Sequence, residues 1–305
     1  MGVLRKARKF VSRLLGPEQK IRLRLFRASL RSRMNERHAD VLLISYPKCG
    51  RTWLRMLMSR VLQSHRGIGE VDYMADDLLG GATGDVPHIR ISHDDNPHWK
   101  TPDQLVARKR RYRGKKVILL VRDPRDVVVS MYFERTRRER AYTGSLHDFL
   151  HEPKGSLDTI LAYYNIWAHE RTTPAGLCLV RYEDLHQDTA GTLRRILDFL
   201  GVNNVQDEHV SEAVSFASFG NMRKMESGAV IESGRLRPRD QNDVESYKTR
   251  RGRVGGYTDY LQPDEIEWME QRIRDTLDPW YGYGEPPADS ATQATDSQTA
   301  SKRSA

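Results

Sequence analysis

The stretch that most constrains this chain runs from Val41-Leu42-Leu43-Ile44 into Ser45-Tyr46-Pro47-Lys48-Cys49-Gly50-Arg51-Thr52-Trp53. The four apolar residues have the composition of a buried strand. Beyond the loop, Leu54, Leu57, Met58, Val61 and Leu62 recur at helical spacing, so a helix is expected from about Arg51. A strand, a tight loop and a helix direct free backbone N–H groups and the positive end of a helix dipole at one point. Pro47 and Gly50 shape the bend, Lys48 adds a point charge and Thr52 a hydroxyl, a combination that suits a phosphate. The Walker form of such a loop, two glycines five apart followed by Lys-Ser/Thr, is absent. An ordinary βα turn with a buried Trp53 is the competing reading of this stretch alone.

Strand-like and helix-like segments alternate along all 305 residues, which predicts one α/β domain with a central parallel sheet flanked by helices. No stretch approaches the roughly 20 apolar residues of a membrane span, and no signal-peptide pattern precedes the first strand. The two cysteines, Cys49 and Cys178, make no disulfide framework, so a reducing, cytoplasmic setting is expected. The net charge of +9 is unevenly placed: residues 1–38 hold 12 of the 50 basic residues and 2 of the 41 acidic ones. The remainder is nearly neutral, which removes the main argument for nucleic-acid binding.

Three segments follow from composition: a basic amphipathic arm at 1–38, a domain at 39–284 and a disordered tail at 285–305 rich in Pro, Ser, Thr, Ala and Gln. In the arm, Leu4, Ala7, Val11, Leu14 and Leu15 share a helical face among arginines and lysines. Such a helix suits peripheral contact with an anionic membrane surface, or packing on the domain with its arginines solvated; both stay open. Within the domain, 67–85 is expected to be a surface segment, 88–93 a strand ending in His93, and Asp94-Asp95-Asn96-Pro97 a turn. Lys116 to Val121 is the clearest buried strand, followed by a helix with Asp123 as N-cap and Pro124 in its first turn. Further helices are predicted at 145–151, 156–171, 189–200, 207–217 and 263–277, with a strand at 177–180. The segment 220–260, rich in Arg and Gly, is expected to be a long mobile loop.

Two more anion signals accompany the first loop. Arg122 ends a buried strand, where open α/β sheets bind ligands, with Ser130 two turns into the next helix; its alternative role is an ion pair with Asp123 or Asp126. Thr249-Arg250-Arg251-Gly252-Arg253-Val254-Gly255-Gly256 suits a flap that wraps a phosphate with guanidiniums and backbone N–H groups. Together, Lys48-x-Gly50-x-Thr52-Trp53, Arg122-Asp123-Pro124-Arg125-Asp126 with Ser130, Leu179-Val180-Arg181-Tyr182-Glu183-Asp184-Leu185 and Arg250-Arg251-Gly252-x-x-Gly255 resemble the sulfotransferases that use 3′-phosphoadenosine 5′-phosphosulfate (PAPS). The resemblance covers roughly residues 40–277 and implies a P-loop-like fold.

By position, the resemblance implies that Lys48, Gly50, Arg51 and Thr52 hold the 5′-phosphosulfate, with Trp53 near the adenine. Cys49 belongs to the same loop. Arg122 and Ser130 match the 3′-phosphate site, and Arg250, Arg251 and Gly252 the flap that closes over it. Tyr182, Phe219 and Met222 fall where relatives contact the nucleoside. His93 matches the general base, with His88 and His98 as competitors, and Lys48 and Ser130 complete the implied catalytic set. The acceptor would be a small-molecule, sugar or lipid hydroxyl, and no metal is called for. Phe133, Tyr132, Tyr73 and Trp99 are expected near the acceptor, in a pocket formed by 67–100, 132–145 and 220–248.

Departures from the pattern bear on these expectations. Cys49 stands where Ser is common, and beside Lys48, Arg51 and a helix N-terminus its thiolate is expected to be favoured, so that alkylation blocks activity and cofactor protects. Gly256-Tyr257 stands where many relatives have Asp-Trp, and no dimerisation motif is recognisable, which leaves the oligomeric state open. Two other reaction classes compete. Cys49 and Arg55 satisfy the Cys-x₅-Arg spacing of cysteine phosphatases. A P-loop kinase would need Mg²⁺ and an acidic residue after a buried strand, for which Asp123 is the candidate.

Overall fold

The structure is a computed structural model and describes residues 34, 36–80, 84–228 and 236–284. The tail at 285–305 and almost all of the arm at 1–38 therefore lie outside the described residues. Four parallel strands form the sheet: β1 (Val41–Ser45), β2 (Ile89–Ser92), β3 (Lys116–Val121) and β4 (Gly176–Arg181), in the order β2-β1-β3-β4. β1 is central, with Leu43 opposite Ile91 on one side and Ile118 on the other. Every residue of β1 is buried, as expected of a strand covered by helices on both faces.

Nine helices are described: α1 (Arg51–Arg66), α2 (Pro124–Phe133), α3 (Leu146–Leu150), α4 (Leu157–His169), α5 (Tyr182–Gln187), α6 (Thr189–Leu200), α7 (Asp207–Phe216), α8 (Phe219–Glu226) and α9 (Pro263–Thr276). α1 packs on α7, while α2 packs on α4 and α9. The Leu54, Leu57, Met58, Val61 and Leu62 face of α1 is fully buried, so the spacing that predicts this helix is also what docks it. α2 begins as its sequence dictates: the Asp123 carboxylate accepts from Arg125 N at 2.9 Å, and Pro124 occupies the first turn.

Two expectations are corrected. The segment 220–260 is not one long loop, because α8 opens it and buries Met222, Met225 and Glu226. Its short apolar set, interrupted by Arg223 and Lys224, gives too little periodicity to be read as a helix. Nor is 67–85 only a surface segment: Met74 and Leu78 enter the core, and Asp77 bridges to Arg90 of β2.

Candidate active site

All four strands deliver a residue to the same place. Their carboxyl ends lead into Lys48, His93, Arg122 and Tyr182, which line one cleft of about 550 Å³. This is the edge of an open α/β sheet at which ligands bind. Of the predicted site residues, Lys48, Gly50, Arg51, Thr52, Trp53, His93, Arg122, Ser130, Tyr182, Phe219, Met222, Arg250, Arg251 and Gly252 all line this cleft.

Cys49 is the exception. Its side chain turns into the core, fully buried, with Sγ 3.3 Å from the Tyr164 hydroxyl. Burial pushes the thiol up to about 12, outweighing the Arg122 and Arg51 charges that favour the thiolate. The reactive-thiolate expectation is therefore wrong, and only the backbone of Cys49 is left to contact a ligand. The phosphatase reading fails with it: its nucleophile is inside the core, and Arg55 is turned to the Met74 carbonyl and sulfur at 3.3 and 2.8 Å. The kinase candidate Asp123 is also occupied, holding Arg125 through Nη2 at 2.7 Å besides capping α2.

The loop itself is tightly specified. Lys48 sits at φ 73°, a left-handed conformation that costs a non-glycine residue energy and clusters at functional sites. Gly50, at φ 90°, packs against the Tyr182 ring so closely that a Cβ would lie 2.5 Å from a ring carbon. The Lys48 ammonium bonds Glu134 at 2.7 Å. Glu134 belongs to a π-helical turn (Glu134–Arg138) that continues α2, a feature common at functional sites. Lys48 and Arg138 hold the Glu134 carboxyl down near 2 against the effect of burial. Arg51 is pushed down to about 9 by burial and by Arg55.

His93 is held as a neutral base. Its Nδ1 lies 3.1 Å from the Ser45 carbonyl, which can only accept, so Nδ1 carries the proton and Nε2 is the free lone pair. Burial first, then Arg51 and His98, drive its proton affinity well below the ordinary imidazole value. The competing His88 has both ring nitrogens engaged, with the His38 carbonyl at 2.8 Å and Asp77 at 2.7 Å, and lies outside the cleft. His98 does line the cleft, 6.0 Å from the His93 ring, and burial pushes it down to about 3.

What fixes His93 is the residue after it. Asp94 is fully buried and accepts from Lys109 Nζ at 2.5 Å, Tyr112 Oη at 2.7 Å, Trp167 Nε1 at 3.0 Å and the Arg111 guanidinium. The sequence reading of Asp94-Asp95-Asn96 as a turn captures the backbone, since all three have positive φ, but misses this hub. The donors lie 15 or more residues away, so no local pattern announces them.

At the other end, Arg122 lies in the cleft and also makes the ion pair expected of it. It lines the cleft with its guanidinium 4.4 Å over the Tyr182 ring, and it pairs with Asp126 at 3.1 Å. Trp53 sits edge-on to Tyr182 and His186, at 5.6 and 5.4 Å. In the Tyr-Glu-Asp segment, Glu183 accepts from Asp123 N at 2.9 Å and Tyr283 Oη at 2.7 Å, tying β4 to the loop after β3.

The flap is anchored at both ends by buried carboxylates. Glu226 of α8, with no exposed surface, accepts from Thr249 N at 2.8 Å and from Lys248 N. Asp126 of α2 accepts from Gly255 N at 2.9 Å and Tyr257 N at 3.0 Å. Between them, Arg250 lies over the Phe133 ring at 4.4 Å and bonds Glu245 at 3.0 Å, while Arg251 is half-exposed and reaches Tyr260 Oη at 3.1 Å. Gly252, at φ 60°, gives its carbonyl to His186 at 2.6 Å.

The sulfotransferase-domain family model matches residues 38–281. The chain belongs to the PAPS-dependent sulfotransferase family. Among curated relatives of this sulfotransferase, cytosolic sulfotransferase 16 of Arabidopsis thaliana is 26% identical, covering 79% of this chain and 78% of that one. The flavonol 3-sulfotransferase of Flaveria bidentis is 22% identical over 78% of this chain and 81% of its own. Mouse sulfotransferase SULT7A1, solved complexed with PAP, has the same fold with a TM-score of 0.54 at 20% identity, covering 78% of this chain and 84% of that one. Retinol dehydratase in complex with androsterone and inactive cofactor PAP gives a TM-score of 0.54 at 17% identity, over 78% and 80%. Among the described residues, no helix of the sulfotransferase is long and apolar enough to cross a membrane.

The cleft also contains residues that sequence reasoning did not single out: Asn96, Glu134, Glu139, His186, Thr189 and Lys248. Conversely, Phe133, Tyr132, Tyr73 and Trp99, expected near the acceptor, do not line it. Phe133 packs edge-on to Tyr260 at 5.0 Å and Tyr73 on Phe216 at 4.9 Å, while the Trp99 face is covered by Arg135 at 3.6 Å. A large aromatic side chain is satisfied by packing as readily as by a ligand.

Proposed function

We propose that this protein transfers the sulfuryl group of PAPS to the hydroxyl of a small-molecule, carbohydrate or lipid acceptor. One observation carries the reading: Lys48, Arg122 and Arg250–Gly252, far apart in the chain, line one cleft together with a neutral histidine. In this reading Lys48, Gly50, Arg51 and Thr52 hold the 5′-phosphosulfate. Arg122, Ser130, Arg250, Arg251 and Gly252 hold the 3′-phosphate, and Trp53, Tyr182, Phe219 and Met222 enclose the nucleoside. The donor set suits two anionic groups separated by an aromatic-walled space.

The acceptor oxygen attacks sulfur in line, the bond to the 5′-phosphate breaks, and its electron pair leaves with adenosine 3′,5′-bisphosphate (PAP). His93 Nε2 takes the hydroxyl proton; the Ser45 bond that fixes its tautomer and the burial that keeps it neutral both support this role. Lys48 faces the oxygen on which negative charge grows, with Ser130 beside the phosphates. The cytosolic names of the relatives support a cytoplasmic setting; peripheral membrane contact through residues 1–38 would add an acceptor-delivery route.

A thermal-shift comparison of PAP, 5′-AMP and ATP with Mg²⁺ tests the reading. A ligand at 100 times its Kd stabilises by about 2.7 kcal/mol, and PAP should shift the melting temperature far more than 5′-AMP. A preference for ATP with Mg²⁺, or equal shifts for PAP and 5′-AMP, would overturn it. Arg122→Met should abolish the PAP preference while leaving the 5′-AMP shift in place.

A further inference from the structure

The cleft holds a cation that none of the assigned roles uses. Lys248, partly buried at the start of the flap, lines the cleft, and its backbone is fixed by Glu226. Its ammonium makes no hydrogen bond or ion pair among the described residues. Lys48, by contrast, is engaged by Glu134. The surroundings locate Lys248 further. Lys248 lines the same cleft as Lys48 and His93, close enough for its charge to act on His93 and for that of Lys48 to act on it, so it borders the interval between the residue proposed to face the leaving phosphate and the one proposed to take the acceptor proton. In an in-line transfer that interval is where the sulfuryl group travels.

We propose that Lys248 is a further catalytic residue, donating hydrogen bonds to the non-bridging oxygens of the sulfuryl group as it passes from donor to acceptor. The proposal rests on the sulfotransferase reading and extends it. In the step, the acceptor oxygen forms a bond to sulfur, and the bond from sulfur to the phosphate oxygen breaks with its electron pair going to PAP. The hydroxyl proton goes to His93 Nε2, and Lys248 gives up no proton. Its contribution is electrostatic: an ammonium held at the cleft by an anchored backbone needs little reorganisation as the oxygens move.

Most of the charged groups around Lys248 are cationic. Burial first, then the Lys48, Arg138 and Arg55 charges, push it down to about 7, with Glu134 opposing them and neutral His93 beside it. An arriving anion reverses that balance and favours the ammonium.

Orthovanadate, which takes a five-coordinate geometry like that of the group in flight, provides an acceptor-independent test. PAP is titrated into wild-type protein, Lys248→Met and Lys248→Arg at pH 7, and orthovanadate then into each PAP complex, by calorimetry. PAP lacks the sulfuryl group, so Lys248→Met should leave its affinity within about threefold of wild type, which also reports that the variant folds. Orthovanadate affinity of the PAP complex should fall at least tenfold in Lys248→Met and recover in large part in Lys248→Arg. Equal orthovanadate affinity in wild type and Lys248→Met overturns the proposal. So does a wild-type PAP complex that ignores orthovanadate, or a Lys248→Met loss of PAP affinity as large as its loss of orthovanadate affinity. Failure of wild-type protein to bind PAP sinks the sulfotransferase reading itself, a distinguishable result.

Discussion

Gly50→Ala should damage this protein twice, and the two costs can be sized. At φ 90° the backbone of residue 50 is in territory that L residues rarely occupy, where a side chain costs about 1–2 kcal/mol. The new methyl would also sit 2.5 and 2.8 Å from two carbons of the Tyr182 ring. Tyr182 is only 6% exposed and is boxed in by Arg122 at 4.4 Å and Trp53 at 5.6 Å, so it has little room to retreat. Overpacking of that kind costs about 1–3 kcal/mol. Taken together the loss is about 2–5 kcal/mol, or a melting temperature lower by roughly 4–20 °C for a domain of this size. Because the Tyr182 ring walls the proposed nucleoside site, PAP affinity should fall at least tenfold as well. Gly252→Ala is the control: its methyl would meet Phe219 at 2.2 Å, but Phe219 is 47% exposed and free to rotate outward. That variant carries only the backbone cost of its φ of 60°, about 1–2 kcal/mol, and should lose less stability than Gly50→Ala while also losing ligand affinity. Thermal melts with and without PAP read both quantities. A Gly50→Ala protein that melts within about 2 °C of wild type, or that loses no more than Gly252→Ala, refutes the reasoning.

Other consequences follow from the same geometry. Cys49, buried and pushed up to about 12, should resist iodoacetamide in the native protein with or without PAP and react only on denaturation; rapid native labelling located by mass spectrometry contradicts this. Native His98 is pushed down to about 3, so below the ordinary imidazole value the unfolded chain binds the extra proton and stability falls with pH. Its share is at most about 1.4 kcal/mol per pH unit. The urea midpoint should therefore drop from pH 7.5 to 5.5, and His98→Asn should flatten that drop. Asp126→Asn leaves one acceptor for two partly buried N–H donors and removes the carboxylate that pairs with Arg122, so PAP binding should weaken about tenfold through release of the flap. An unchanged PAP dissociation rate, measured by stopped flow, would show that the flap does not depend on Asp126.

Legibility followed range. The strand-loop-helix at 41–66 and the capped start of α2 could be read because their determinants are neighbours in the chain: apolar runs, helical spacing, Asp-Pro at a helix start. Residues that line the cleft from the ends of β1, β3 and β4 were legible for a related reason, since a strand end is a place as well as a sequence position. Cys49 shows the limit. Its neighbours Lys48 and Arg51 argue for a thiolate, but whether the side chain faces the cleft or Tyr164 depends on a residue 115 positions away, and burial outweighs both charges. Aromatic size misled at Tyr73, Tyr132 and Phe133 because packing, not a ligand, satisfies it.

The parts that sequence could not show share one design. Asp94, Asp126 and Glu226 are buried carboxylates whose partners come from distant elements, and each immobilises a segment that carries site residues: the end of β2 with His93, the far end of the flap, and its beginning at Lys248. None is placed where the proposed chemistry would touch it. A buried carboxylate with donors on every side is costly to disturb, because removing it strands several N–H groups at about 1–3 kcal/mol each. The active-site loops therefore need little intrinsic order; they borrow it from the core through these three anions. That explains why the flap, glycine-rich and without apolar periodicity, reads as a loose loop and yet brings Arg250 and Gly252 to the same cleft as Lys48.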